Sequence, residues 1–318
     1  MSLFIDTIKG KKVLIIAHWD CDGVCSGAML YHIVKEHANH VSYKTLGEQF
    51  YIPKEEFRDE YDYIICVDMQ PQPSIVDERI LYIDHHPTTH LSNYRHYIHD
   101  ENAQSCTELL WNTFHTSQII PANKRAYFAL LTLLGFISDG GVIDDVVQSL
   151  KEYIPKTVSL FTYISLLNTP KRIHWNGDMA LEVLCELDSP VDIFNYNHPN
   201  LQKFQSYKNI LQEYYKKEYI CQSKGKFDVL IIREPYNIQG VLCAKHKSQR
   251  PIIVINTYRK RCIGSLRISA DENIDAGAFL EQFSTTISEW IGGGHEKAGG
   301  FSFASDQLDI FLETLKKV

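Results

Sequence analysis

Four short apolar runs, each ending in a carboxylate or imidazole, constrain this chain more than any other feature. They are VLIIAHWDCD, YIICVDMQ, ILYIDHHP and LLGFISDGG. They deliver His18, Asp20 and Asp22, then Asp68, then Asp84, His85 and His86, then Asp139. A short apolar run closed by a ligand-type residue reads as a buried parallel strand with its chemistry at the C-terminal tip. In open α/β sheets those tips border the ligand crevice, so four remote stretches can meet at one place. The fourth run is the end of a longer apolar stretch, Lys124–Ile137, which reads as a buried helix stopping at the Ser138-Asp139-Gly140-Gly141 turn.

The rest of the chain repeats this alternation. Strands are predicted at 12–17, 41–45, 62–67 and 80–83, with a helix from Val24 to about His37. Gly23 allows the tight turn between the first strand and that helix. Ser105-Cys106-Thr107-Glu108 is a capping-box start for a further helix, and 145–190 reads as helical. The fold class is therefore α/β, with an N-terminal doubly wound parallel sheet. Residues 199–222 carry apolar side chains at helical spacing and read as a connecting helix. After Lys224 the pattern restarts with strands FDVLIIRE, PIIVINTY and IGSLRIS, a helix around 275–290, and a glycine cluster. The predicted organisation is an N-terminal domain over 1–195, a linker over 196–222 and a smaller α/β domain over 223–318. The 318 residues suffice for two cores.

Composition narrows the partners. The net charge is −7, and it is uneven. Residues 1–222 hold 19 Lys and Arg against 28 Asp and Glu, whereas 223–318 hold 13 against 11. An acidic chain is a poor grip for long duplex DNA and suits a small phosphorylated substrate held in a cleft. No apolar run is long enough to span a membrane, and the N-terminus MSLFIDTIKGKK lacks a signal-peptide pattern, so a cytoplasmic location is expected. The eight cysteines form no C-x-x-C pair and read as reduced, mostly buried thiols.

The acid and histidine residues argue for metal. Asp20, Asp22, Asp68, Asp84 and Asp139 would place up to five negative charges in one pocket. Carboxylates that close hold together only if cations or protons offset them. Carboxylate and imidazole ligands suit hard or borderline ions such as Mn²⁺ and Mg²⁺. Two such ions about 3.5–4 Å apart would balance most of the charge, as in many phosphoryl hydrolases.

These residues resemble the DHH phosphoesterase superfamily: His-x-Asp-x-Asp, a lone strand-end Asp, Asp-His-His and a further Asp, in that order. The late segment Ile291-Gly292-Gly293-Gly294-His295, preceded by Gly264-Ser265-Leu266-Arg267, is similar to the GGGH and Ser-Leu-Arg stretches of the DHHA1 partner domain. The resemblance covers most of the chain and implies roles. His18, Asp20 and Asp68 would hold one metal. Asp22, Asp68, His85 and Asp139 would hold the other, with Asp68 bridging. Asp84 would orient a ligand from behind, and His86 would face the scissile phosphate. Arg267 and Gly292, Gly293, Gly294 and His295 would bind a substrate phosphate through a planar cation and exposed backbone N–H groups.

The activity implied is that of the nano-RNase branch: Mn²⁺-dependent hydrolysis, with Mg²⁺ as second choice, of short 5′-phosphorylated oligonucleotides such as pGpG or pApA to mononucleotides. A 3′-phosphoadenosine 5′-phosphate phosphatase activity and a homodimer are compatible with it. Alternatives are a cyclic dinucleotide phosphodiesterase and a RecJ-like single-strand exonuclease. Asp139 is followed by Gly140-Gly141 where many relatives carry Thr-Gly. His32, His37 and His40 read as helix-surface residues, and His90, His96 and His99 as loop or surface residues. Arg259-Lys260-Arg261 reads as a solvated turn.

Overall fold

The computed structural model describes residues 2–46, 60–69, 77–87, 96–142, 145–155, 159–246, 249–269 and 271–317. It divides into two compact units, Met1–Lys208 and Asn209–Val318. Unit 1 opens with α1 (Ser2–Ile8), β1 (Lys12–His18), α2 (Cys21–Val34), β2 (His40–Leu46), β3 (Tyr63–Val67), β4 (Ile80–Asp84) and β5 (His96–His99). The strands pair in the order β2-β1-β3-β4-β5, all parallel. Helices α3 (Cys106–Thr116), α4 (Arg125–Ser138), α5 (Asp145–Leu150), α6 (Leu160–Leu167), α7 (Thr169–His174), α8 (Asp178–Glu186) and α9 (Pro190–Phe194) follow. The division between units falls inside α10 (Pro199–Tyr215).

Every residue of β3 and of β4 is buried, as continuous apolar strands demand. Val13, Ile15, Ala17, Ile65, Val67 and Ile83 join the large core with residues of α2, α3 and α4. Leu14, Ile16, Ile64, Cys66 and Tyr82 form a second buried cluster on the alternate positions. Each such side chain removed from water contributes roughly 1.5–3 kcal/mol. The strand order reverses direction around β1, so the crevice lies at the C-terminal ends of β1 and β3. β5 is an addition to the sheet that the sequence pattern does not announce.

Local differences from the expected pattern have identifiable causes. α2 begins at Cys21 rather than Val24, because the Asp20 carboxylate caps it by accepting the Gly23 N–H at 3.1 Å. Any Cβ at position 23 would stand 2.4 Å from the His18 carbonyl oxygen. The expected surface position of His32 is wrong. It is 1% exposed, its Nε2 lies 3.0 Å from the Leu184 carbonyl, and its ring meets Tyr127 edge-on at 5.4 Å. His37 and His40 are exposed, but neither lies on a helix: His37 follows α2 and His40 opens β2, and His90 lies outside the described residues.

Unit 2 holds β6 (Cys221–Lys224), β7 (Phe227–Ile232), α11 (Gln239–Lys245), β8 (Ile252–Asn256), β9 (Arg261–Arg267), α12 (Ala276–Glu281), β10 (Ile291–His295), β11 (Ala298–Ala304) and α13 (Leu308–Leu315). The six strands run β10-β11-β9-β8-β7-β6, with β7 and β8 parallel and the other pairs antiparallel. Phe227, Phe279, Phe283, Phe301, Phe303 and Phe311 fill its core, with Trp290 stacked on Phe301 at 5.2 Å. β6 starts inside the stretch read as linker. The helix expected over 275–290 is shorter, and passes at Gln282 into a 3₁₀ turn. The glycine cluster is strand β10 at the sheet edge, hairpin-paired to β11. Among the described residues no helix is long and apolar enough to cross a membrane.

Candidate metal centre

β1, β3 and β4 end side by side, and their last residues supply most of the acid and histidine residues at the site. His18 closes β1, Asp68 directly follows β3, and Asp84 closes β4 with His85 and His86 just beyond. Asp20 and Asp22 sit at the cap and first turn of α2. Asp139 is the C-cap of α4. The eight residues predicted for the centre therefore meet within unit 1.

Asp68 is the hub. Its Oδ2 lies 3.6 Å from His18 Nδ1, and its Oδ1 lies 3.7 Å from His85 Nε2 and 4.0 Å from His86 Nδ1. His18 Nδ1 also reaches Asp20 Oδ2 at 3.1 Å, and His85 Nε2 reaches Asp139 Oδ2 at 3.4 Å. Ligand-type atoms of His18, Asp20 and Asp68 lie within 4.8 Å of one another; so do those of Asp22, Asp68, His85 and Asp139, and those of Asp68, Asp84 and His86. Asp68 belongs to all three groups. It also holds φ at +59°, a left-handed conformation that costs a non-glycine residue about 1–3 kcal/mol and is kept where surrounding structure imposes it.

Hydrogen bonds from the surroundings fix Asp22, His85 and His86. Asp22 is fully buried. It accepts from the Cys106 N–H at 2.6 Å, the Thr107 N–H at 3.1 Å and the Thr107 hydroxyl at 2.8 Å. The amino end of α3 thus holds this carboxylate. His85 Nδ1 lies 3.2 Å from the Ala103 carbonyl oxygen, which leaves Nε2 facing the carboxylates. Asp84 Oδ1 holds His86 Nδ1 at 2.7 Å, so the residue it orients is His86. His99 on β5, expected as a surface residue, reaches the His86 carbonyl with Nε2 at 2.8 Å. No sequence pattern signals that contact, nor the role of Lys171 on α7, whose charge acts on Asp20.

The electrostatics reveal a site short of positive charge. Burial, and then the charges of Asp22, Asp20, Asp139 and Asp84, push the Asp68 carboxyl well above the usual carboxylate range. Burial and Asp139 push Asp22 up to about 7. Burial opposes protonation of His85, but its hydrogen bond to Asp139 and the charges of Asp22 and Asp139 win and push it up to about 9. His86 is raised too, as Asp84 outweighs burial, and Asp84 is lowered in return by His86. Asp20 falls well below its ordinary value, since His18 and Lys171 outweigh its burial. Divalent cations would offset the same excess of negative charge. Asp68 is 3% exposed, and its buried Oδ1 accepts no hydrogen bond among the described residues. A buried carboxylate oxygen in that state, facing imidazoles and further carboxylates, fits a divalent ion.

In unit 2, register brings Arg267 and His295 to one rung of the sheet. Ala298 on β11 pairs with Arg267 on one side and His295 on the other. Both side chains are exposed. At Gly294, φ is +156° and a Cβ would lie 2.2 Å from the Ala298 carbonyl oxygen, so only glycine fits.

This fold defines a class of two-domain proteins in which a parallel sheet carries a cluster of acid and histidine residues at its strand ends. Residues 12–136 match the DHH family, N-terminal domain, and residues 233–318 match the DHHA1 domain, so the chain belongs to the DHH/DHHA1 family. No curated protein is significantly similar in sequence. Among solved structures, RecJ with Mn²⁺ from Thermus thermophilus aligns at TM-score 0.70 and 16% identity, over 99% of this chain and 53% of that one. A manganese-bound exonuclease RecJ aligns at TM-score 0.66 and 15% identity, over 99% and 92%. The pGpG-specific phosphodiesterase PggH from Vibrio cholerae aligns at TM-score 0.51 and 14% identity, over 96% and 98%. This chain thus spans about half the length of the Thermus protein. At these identities the likeness is one of fold.

Proposed function

We propose that this protein is a two-metal phosphodiesterase that hydrolyses short 5′-phosphorylated oligonucleotides to mononucleotides, with Mn²⁺ preferred over Mg²⁺. The observation that carries the reading is Asp68, whose carboxylate lies in both metal-ligand groups and has a buried oxygen without a hydrogen bond among the described residues. The structural relatives include a pGpG-specific phosphodiesterase and RecJ with Mn²⁺ or with Mg²⁺ bound, which supports a nucleotide substrate and a divalent ion.

His18, Asp20 and Asp68 would hold one ion, and Asp22, Asp68, His85 and Asp139 would hold the other. Bound there, the ions supply Lewis acidity toward the phosphoryl oxygens and an activated water. The side chains do the rest. Asp84 accepts from His86 Nδ1, which fixes the ring and turns Nε2 outward as a donor to the scissile phosphate. The α3 amino end keeps Asp22 in place, and Ala103 fixes the His85 tautomer. Within unit 2, Arg267, Gly292, Gly293, Gly294 and His295 bind the substrate's terminal phosphate. A phosphatase activity on 3′-phosphoadenosine 5′-phosphate is consistent with the same residues.

Chromatographic product analysis with Mn²⁺ tests this on a matched set: a 5′-phosphorylated RNA dinucleotide, a 20-mer, 3′-phosphoadenosine 5′-phosphate and a cyclic dinucleotide. The dinucleotide should disappear fastest and the 20-mer slowly. A 20-mer degraded as fast as the dinucleotide would overturn the short-substrate reading.

A further inference from the structure

A second group of ligand-type side chains sits in unit 2, at the β6 edge of the sheet. In the β6–β7 register Ser223 lies opposite Asp228, so Cys221, two residues earlier, points to the same face. His246 caps the end of α11, which packs against β8 and β9. Its Nε2 lies 3.0 Å from Asp228 Oδ2. The Cys221 sulfur, an Asp228 oxygen and a His246 ring nitrogen all lie within 4.8 Å of one another.

We propose that Cys221, Asp228 and His246 form a thiolate-containing site for a borderline cation such as Zn²⁺. Thiolate, carboxylate and imidazole together suit Zn²⁺, whereas the centre in unit 1 has only oxygen and nitrogen ligands. Binding releases the thiol proton, so one thiolate and one carboxylate face the 2+ ion, with the Arg250 cation beside the carboxylate. Three protein ligands leave a fourth tetrahedral position for water. Asp228 also meets Arg250 Nε at 3.3 Å through Oδ1 and the Ser223 hydroxyl at 3.3 Å. Arg250 is held independently by the Gly225 carbonyl at 2.6 Å and the Phe227 carbonyl at 3.4 Å, so Oδ2 and His246 can serve an ion without displacing it. The accessibility is right as well. Cys221 is exposed, while the other seven cysteines are buried. An ion here ties the four-residue edge strand β6 to β7 and to the end of α11.

Cobalt reads the site directly. Full-length reduced protein, first saturated with Mn²⁺, is titrated with Co²⁺ while the near-ultraviolet thiolate-to-cobalt charge-transfer band is followed. The expected result is a band that saturates at one equivalent, is lost in Cys221→Ser, weakens in His246→Ala and is bleached by Zn²⁺. Cys221 is exposed, so the serine variant folds and the comparison stands. No band in the parent protein, or an undiminished band in Cys221→Ser, overturns the proposal.

Discussion

Replacing Asp68 by Asn removes one negative charge with almost no change in shape, and the structure sets what should follow. Asp68 lies in the group with His18 and Asp20 and also in the group with Asp22, His85 and Asp139. Losing it should therefore weaken both ions, whereas Asp20→Asn or Asp139→Asn should weaken one. A ligand present at a hundred times its Kd stabilises the folded state by about 2.7 kcal/mol. Two ions at that saturation contribute about 5 kcal/mol. At roughly 2–4 °C per kcal/mol for a unit of this size, Mn²⁺ should raise the melting temperature by about 10–20 °C. Asp20→Asn and Asp139→Asn should each keep about half of that rise, and Asp68→Asn almost none. Without metal the Asp68 variant should melt at or above the parent, because burial and four neighbouring carboxylates already disfavour this charge. Metal ions supply several kcal/mol of transition-state stabilisation, so turnover should fall by at least about a thousandfold. Differential scanning calorimetry with and without Mn²⁺ is the assay. A Mn²⁺-induced shift in Asp68→Asn as large as in Asp20→Asn would refute the bridging role.

Three further predictions rest on separate contacts. Asp84→Ala removes the acceptor that orients His86 at 2.7 Å, so kcat should drop about 10- to 100-fold while Mn²⁺ affinity, measured by calorimetry, stays within a few-fold. His32 is buried, and burial pushes it down to about 4 from its ordinary 6.5. Between those values the unfolded chain binds one more proton, so stability is complete above pH 6.5 and falls as the pH drops toward 4, by on the order of 3 kcal/mol. Urea unfolding of His32→Gln should show a shallower loss across that window, and an identical slope would contradict it. Arg267→Ala should raise KM chiefly for substrates with a terminal phosphate; an equal loss on an unphosphorylated diester would remove Arg267 from phosphate binding.

The strands and the site were legible for one reason: the chemistry sits where apolar runs stop. Ile64–Val67 and Ile80–Ile83 are buried, so their sequence is uninterrupted, and the next residue turns into the crevice. What the sequence hid depends on long-range contact. His32 lies on a helix so apolar that the face a histidine occupies is not readable, and only Leu184 and Tyr127 from distant segments show that it is interior. β5 is short and half-buried, so its residues look like a loop until they pair with β4. Gly292–Gly294 has no side chains to display strand alternation, and its pairing with Phe301, Gly300 and Gly299 makes it a strand. Asp84 was expected behind a metal ligand, and its partner His86 follows from the turn after β4.

The most direct test of the account is anomalous diffraction at the manganese edge from crystals grown with Mn²⁺. The account predicts two peaks about 3.5–4 Å apart with Asp68 between them, one against His18 and Asp20 and the other against Asp22, His85 and Asp139. A single peak, or two peaks not shared by Asp68, would contradict it.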